Sequence, residues 1–241
     1  MKNSLIIEDW GKIDFAKAWE EQFNLQRQII EEKRALSIPV SETGGREHYL
    51  LFCEHNHVYT LGKSGDEGNL LVDAESLIEK EVTFYKINRG GDITYHGPGQ
   101  LVAYPILDLE YFFRDIHKYI RMLEEVIIRI MDDYGLKGYR IDDFTGVWLG
   151  ENPRRKICAI GVHMSRWVSM HGLAFNVNTD LDFFENIIPC GIREKDKTVT
   201  SLAQELKQSV DMREVQRKFI KHFNDLFGTR VSRFDYMEDE N

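Results

Sequence analysis

Arg89-Gly90-Gly91-Asp92-Ile93-Thr94-Tyr95-His96-Gly97-Pro98-Gly99-Gln100 is the stretch around which the rest of the chain is organised. Four glycines and one proline fall within these residues, between the apolar runs 82–88 and 100–106. Glycine lets the backbone approach a ligand closely and take up positive φ, and the Arg, Tyr and His side chains beside it can bind a polar head group. A turn that only reverses the chain needs about two to four residues. The stretch therefore predicts a ligand-binding loop between two strands, with an ordinary surface loop as the alternative.

The apolar pattern on either side of this loop predicts an α+β domain. Strand-like runs occupy 48–54, 82–88 and 100–106, and shorter ones lie around 138–141, 145–149, 156–164 and 167–177, with a hairpin turn near Ser165-Arg166. Helical spacing predicts helices over 15–34, from Asp115 to Gly135, and after Asp211. We expect the first helix to pack through Trp19, Phe23 and Ile30. We expect one domain over residues 1–241, a mixed, largely antiparallel sheet flanked by helices, and a frayed acidic end at about 237–241.

Composition and charge exclude several classes of protein. The net charge of −9 argues against a general nucleic-acid binder, because phosphate contacts need clustered Lys and Arg. The apolar runs are far shorter than the roughly 20 residues that span a bilayer, and the first residues do not resemble a secretory signal. Three cysteines form no disulfide framework, which favours a reducing cytoplasm. The chain has no C-x-x-C or H-E-x-x-H motif, so no metal site is predicted.

Two cysteines and one lysine could carry chemistry. Cys190 stands between Pro189 and Gly191, in a tight turn that could present its sulfur to a cleft or simply fill space. Lys156 begins an apolar strand, where withdrawal from water would fit it for proton transfer, although a lysine at a sheet edge commonly reaches back to solvent. Strand alternation places Cys158 on the same face as Lys156. Cys158 is therefore the rival nucleophile on geometry alone.

A second segment that could contact a ligand is His171-Gly172-Leu173-Ala174-Phe175-Asn176-Val177. Its small residues Gly172 and Ala174 could open space for an acyl chain. Taken alone, the segment could equally be a buried strand.

Together these motifs resemble the lipoate-biosynthesis octanoyltransferases, also called lipoyl(octanoyl) transferases. The resemblance rests on RGGDITYHGPGQ followed by LVAYPI, then KICAIGV, MHGLAFNV and the turn PCGI, in the family's order, with VYTLG upstream. It covers roughly residues 48–204. A glycine-rich loop alone would be a weak signal, but several ordered motifs are highly specific.

The resemblance implies a fold shared with the catalytic domains of biotin protein ligases and lipoate ligases. It also implies a reaction in which an octanoyl group passes from octanoyl-acyl carrier protein to a lysine of lipoyl-domain proteins. The implied acceptors are the lipoyl domains of 2-oxoacid dehydrogenase E2 subunits and the glycine cleavage H protein.

The resemblance also assigns roles to residues of this chain. Cys190 would hold the octanoyl group as a thioester, and Lys156 would lower the pKa of that thiol and move protons. The substrate would contact the loop from Arg89 to His96 and two strand segments, Ala159-Ile160-Gly161 and Gly172-Leu173-Ala174.

Two other functions compete with this reading. An ATP-dependent lipoate or biotin ligase on the same fold would form an acyl-adenylate and need no cysteine, whereas transfer between thioesters is nearly isoenergetic and needs no ATP. We therefore expect no cofactor. A non-catalytic acyl- or protein-binding module would leave Cys190 and Lys156 without a role.

Overall fold

The computed structural model describes residues 3–36, 44–189 and 196–236, and the predicted frayed end at 237–241 lies outside them. Within these residues the strands are β1 (Ser4–Ile13), β2 (Glu47–His55), β3 (Val58–Leu61), β4 (Thr83–Lys86), β5 (Ile93–His96), β6 (Gln100–Ile106), β7 (Tyr139–Ile141), β8 (Phe144–Leu149), β9 (Arg154–Ser165), β10 (Val168–Asn176), β11 (Lys197–Val199) and β12 (Arg230–Tyr236). The α-helices are α1 (Phe15–Ala35), α2 (Ala74–Glu79), α3 (Ile116–Asp133), α4 (Leu202–Leu206) and α5 (Met212–Phe227).

The strands form a large sheet and a small one. The large sheet has the order β12-β1-β2-β6-β10-β9-β8-β7, with β11 beside β9. Its pairs from β2 to β7 are antiparallel, whereas β1 pairs in parallel with β2 and β12, and β11 with β9. The small sheet has the order β4-β3-β5. The predicted α+β class, with a mixed and largely antiparallel sheet, is confirmed.

Helices cover both faces of the large sheet. On one face, α3 and α5 pack on the main core, which includes Phe52, Leu101, Phe175 and Phe219. On the other face, α1 packs on a smaller core with Leu51, Val102 and Tyr104. No helix within the described residues is both long enough and apolar enough to cross a membrane.

Aspartates start three of the helices. The side chains of Asp14, Asp115 and Asp211 accept hydrogen bonds from backbone N–H groups of the first turn of α1, α3 and α5. These bonds satisfy donors that have no partner within the helix. The predicted starts of all three helices are therefore confirmed.

The packed face of α1 differs from the prediction. Phe23 is 50% exposed, and the buried stripe includes Gln22 and Gln26 instead. The Gln26 amide donates to the carbonyl of Val168 at 2.8 Å, and the Gln22 amide oxygen accepts from the backbone N–H of His171 at 3.0 Å. Apolar periodicity missed this stripe because glutamines occupy two of its five positions.

Candidate active site

A cavity of about 380 Å³ lies between the large sheet and the glycine-rich loop. Strands β5, β6, β8, β9, β10 and β11 contribute to its lining, and so do α1, α3 and the segments before β5 and β8. The described residues predicted for the site that line this cavity are Arg89, Gly90, Gly91, Asp92, Ile93, Thr94, His96, Lys156, Ala159, Ile160, Gly161, Gly172, Leu173 and Ala174. The structure thus brings together three segments that are far apart in sequence.

Two predicted residues stand apart from this group. Tyr95 is fully buried on the other side of β5, where its ring stacks on Phe183 and its hydroxyl lies 2.7 Å from Nδ1 of His57. It is not among the described residues that line the cavity, whereas its neighbours Thr94 and His96 are. Cys190 lies outside the described residues. Pro189, its neighbour in sequence, lines the cavity.

A β-bulge separates Lys156 from Cys158. Trp148 of β8 pairs with Lys156, but the preceding residue, Val147, pairs with Cys158, so Ile157 is an extra residue in β9 without a partner in this register. An extra residue breaks the alternation of side chains along a strand. Lys156 therefore lines the cavity, whereas Ile157 and Cys158 are fully buried in the main core. The prediction that Lys156 and Cys158 share a face is wrong for this reason.

The environment of Cys158 does not favour reaction. Burial raises the pKa of its thiol, and the nearby negative charge of Glu124 raises it further, against an opposing effect of Lys156. Since the thiolate is the nucleophilic form, Cys158 stays a protonated core thiol at neutral pH.

Lys156 is nearly buried and its stem is closely packed. The residue is 7% exposed, and Nζ lies 4.7 Å from the ring centre of Trp148. Gly146 has φ +121° and leaves room for the lysine, because a Cβ there would lie 3.4 Å from Cε of Lys156 and 2.4 Å from the carbonyl oxygen of Cys158. The ammonium group is thus placed against one wall of the cavity.

The glycine-rich loop covers a part of β9 that β8 does not reach. β8 pairs with β9 only up to Cys158, and beyond that point the N–H of Gly90 donates to the carbonyl of Val162 at 3.0 Å. Gly161 permits this contact, because a Cβ there would lie 2.8 Å from the Gly90 oxygen and 3.1 Å from Cδ of Arg89. A side chain at position 161 would push the loop away.

Asp92 helps to anchor the glycine-rich loop. Its carboxylate accepts from the backbone N–H groups of Ile93 at 2.7 Å and Asp66 at 3.1 Å, and from the amide of Asn69. These bonds fix the bend between residues 89–92 and β5. The prediction of a single loop over 89–100 is wrong in this respect, because Ile93–His96 pair with β3 as a strand.

Arg89 fastens the loop to β3. Its guanidinium donates to the Thr60 carbonyl at 2.6 Å, to the Thr60 hydroxyl at 3.1 Å and to the Gly90 carbonyl at 3.0 Å. Arginine has no acceptor, so the Thr60 hydroxyl accepts from it and keeps its own proton for Nε2 of His96, 3.4 Å away.

His96 is a neutral imidazole held by Gln100. Burial, and then the proximity of His55, lower its pKa to about 3. Nδ1 lies 2.8 Å from the Gln100 side-chain oxygen, which we assign as the acceptor because the Gln100 amide nitrogen donates to Asn176 at 2.9 Å. Nδ1 of His96 therefore carries the proton.

These hydrogen bonds continue to the strand that holds Lys156. The Asn176 amide donates to the Thr200 carbonyl at 3.0 Å, and the N–H of Thr200 donates to the Lys156 carbonyl at 2.9 Å. Gln100 and Asn176 lie within the quoted motifs but were not assigned a role in the sequence. The structure makes them the link between the loop and β9.

Further residues line the cavity beyond those that the resemblance assigned to the site. Phe15, Ile116, Ile120 and Phe144 line the cavity, but they come from elements that carry none of the quoted motifs. The buried imidazole of His171 also lines it; its Nε2 lies 2.8 Å from the side-chain oxygen of Asn88, and burial lowers its pKa to about 3. Among the described residues, no group of three or more His, Cys, Asp and Glu side chains could hold a metal ion.

The comparisons with known proteins agree with this geometry. The sequence profile of the lipoyl protein ligase A/B catalytic domain matches residues 20–224. The chain belongs to this family. An octanoyltransferase from Christiangramia forsetii is 54% identical over 234 residues, which are 96% of this chain and 99% of that protein. The octanoyltransferase resemblance predicted from the motifs is confirmed.

Solved structures of lipoyl protein ligase A/B and biotin ligase type share the fold. A lipoate-protein ligase A crystallised with ATP has a TM-score of 0.70 at 17% identity, over 99% of this chain and 90% of that one. The biotin protein ligase of Aquifex aeolicus, in complex with biotin and ATP, has a TM-score of 0.50 at 11% identity, over 95% and 71% of the two chains. The predicted fold relationship is confirmed.

Proposed function

We propose that the protein transfers an octanoyl group from octanoyl-acyl carrier protein to a lysine of lipoyl domains, through a thioester on Cys190. The observation that carries this proposal is the cavity, which Lys156 and Pro189 line together with the small residues Ala159, Gly161 and Ala174. This cavity offers space for an acyl chain, and a nearly buried lysine and the residue before Cys190 are among its lining residues. The relatives named octanoyltransferase support the choice of acyl group.

The first half of the reaction exchanges one thioester for another. The Cys190 thiolate attacks the carbonyl carbon of the donor, and the oxyanion collapses with loss of the carrier's thiolate. One C–S bond forms and one breaks, so no ATP is consumed. Lys156, as an ammonium, stabilises the attacking thiolate and gives a proton to the departing sulfur.

The second half moves the acyl group to nitrogen. The neutral amine of the acceptor lysine attacks the Cys190 thioester, and the Cys190 thiolate leaves as the amide forms. The amine loses one proton, which the now neutral Lys156 accepts. The site returns to its starting state with the proton restored to Lys156.

The core position of Cys158 supports Cys190 as the nucleophile. Cys158 is fully buried behind the bulge with a raised pKa, whereas Pro189 lines the cavity. The proposed acceptors are the lipoyl domains of 2-oxoacid dehydrogenase E2 subunits and the glycine cleavage H protein.

Two further expectations belong to this proposal. The buried free thiols Cys53 and Cys158 fit a reducing compartment, so we place the reaction in the cytoplasm. Pairing of β12 with β1 joins distant parts of the chain in one sheet, which supports a single catalytic domain over residues 1–241.

Intact-protein mass spectrometry after mixing with octanoyl-acyl carrier protein tests the proposal. We expect a gain of one octanoyl group that hydroxylamine removes, present in wild type and Cys158→Ala and lost in Cys190→Ala. Loss in Cys158→Ala alone would move the nucleophile. No adduct in any variant, with ATP-dependent modification of a lipoyl domain instead, would replace the proposal with the ligase reaction.

A further inference from the structure

A second cavity of about 380 Å³ lies beside the first, and Phe15 lines both. The other walls of this second cavity are mostly polar or charged, among them Lys12, Asp14 and His57. Phe15 is 3% exposed. Its aromatic ring therefore forms part of the partition between the two spaces.

Phe15 and Lys156 both line the first cavity, and three strand spacings separate them. Lys156 is on β9, and the strands continue from there in the order β10, β6 and β2. The Phe15 ring is centred 5.3 Å from that of His55, the last residue of β2. Adjacent strands are about 4.8 Å apart, so three spacings, about 14 Å, separate β9 from β2. A ligand that starts at Lys156 and crosses the strands meets Phe15 at its far end.

The part of the first cavity between Lys156 and Phe15 suits an unbranched apolar chain. Ala159 of β9 pairs directly with Ala174 of β10, and both line the cavity. Tyr104 of β6 lines it farther along. Methyl groups leave a shallow path over two strands before the aromatic residues begin.

We propose that Phe15 is a specificity-determining residue that sets the upper limit of acyl-chain length. This inference rests on the proposed function, because the reacting carbonyl must lie at the Lys156 end for the terminal methyl to point at Phe15. Truncation of Phe15 vacates apolar space beside Val58 and Ile87, with which it packs. Beyond that space lie the charged walls of the second cavity, so room is gained for a few methylenes and not for a long fatty chain.

Transfer assays with carrier proteins loaded with C8, C10, C12 and C16 chains test this inference. In Phe15→Ala we expect the ratio of kcat/KM for C10 or C12 to that for C8 to rise by at least about tenfold, the discrimination that one methylene provides in an apolar pocket. The C16 donor should gain little. Phe15→Leu removes less volume and should give a smaller rise in the same direction if the alanine variant does not fold.

Trp19→Leu is the matched control. Trp19 is on the same helix, its ring centre is 6.2 Å from that of Phe15, and it is not among the described residues that line either cavity. An unchanged ratio in a folded Phe15 variant, or an equal rise in Trp19→Leu, overturns the inference.

Calorimetric binding of free octanoate, decanoate and dodecanoate separates this inference from the proposed function. If wild type transfers no octanoyl group, a gain in decanoate over octanoate binding in Phe15→Leu still supports Phe15 as the wall. No gain in binding there overturns it.

Discussion

Cys53 and Cys158 are the two cysteines among the described residues, and neither is the proposed nucleophile. Both are buried, and burial raises the pKa of each thiol. Since alkylation proceeds through the thiolate, we expect iodoacetamide at pH 8 to label Cys190 in the folded protein and to leave the other two thiols unlabelled until urea unfolds the chain. Peptide mass spectrometry measures each site.

Cys190→Ala provides the control for this labelling. The folded variant should take up no label, and the unfolded variant should take up two. Labelling of Cys158 in the folded protein at the rate of Cys190 would contradict the core position of that thiol.

The residue types at the site were visible in the sequence, but some side-chain directions were not. The motifs selected Lys156 and the two strand segments that line the cavity. Whether the Cys158 side chain is on the same face of β9 as Lys156 depends on one extra residue in that strand. Such a bulge depends on how the neighbouring strand pairs. That pairing is a property of tertiary structure and leaves no local signal.

At the scale of elements, Glu124 ties α3 to β8. Its fully buried carboxylate accepts from the N–H of Gly146 at 2.9 Å, from Arg121 at 2.8 Å and from Arg140 at 3.0 Å. Glu124→Gln keeps the shape of the side chain and removes the negative charge that pairs with the guanidinium groups of Arg121 and Arg140. We expect the free energy of unfolding to fall by about 2 kcal/mol, as measured by urea denaturation.

Glu125→Gln is the matched control for that variant. Glu125 also pairs with Arg140, at 2.7 Å, but its side chain is 31% exposed, so we expect a loss below about 1 kcal/mol. Equal losses in the two variants would show that the buried position of Glu124 adds nothing.

Elements with strong local signals could be predicted, and those fixed by distant pairing could not. Asp115 and Asp211 mark the starts of α3 and α5 in the sequence itself. The turn at Arg166 and Trp167, both with positive φ, matches the predicted hairpin. Strand β12 is mostly exposed and joins the sheet by pairing with β1. It therefore lacks the alternation of buried and exposed residues from which a strand can be predicted. Phe15 lines the site because of the way α1 packs, and no sequence motif predicts that packing.

At the scale of the whole molecule, four buried histidines make stability depend on pH. Burial is the main cause that lowers the pKa of His48, His96 and His171 to about 3 and that of His55 to about 4. The folded protein keeps them neutral, whereas the unfolded chain binds protons below its ordinary pKa of about 6.5. Stability is therefore fully present above that pH and is lost as the pH falls toward 4.

The expected size of this effect is large. Each group contributes a slope of about 1.4 kcal/mol per pH unit once the unfolded state is protonated, so four give about 5 kcal/mol per unit near pH 5. The loss accumulated down to pH 5 is then about 8 kcal/mol, so a protein of ordinary stability, about 10 kcal/mol, should keep only a small part of its stability there. Urea denaturation between pH 5 and 8 measures the slope, and a free energy of unfolding that stays level down to pH 5 would contradict it.

The glycine-rich loop over the uncovered part of β9 bears on competition between water and the acceptor amine. An acyl thioester is open to hydrolysis as well as to aminolysis, and water is present in vast excess. With the Gly90–Val162 bond closed, the loop covers that part of the site, and exclusion of water suppresses side reactions. For the thioester proposed on Cys190, the closed loop would thus favour attack by the acceptor lysine over hydrolysis.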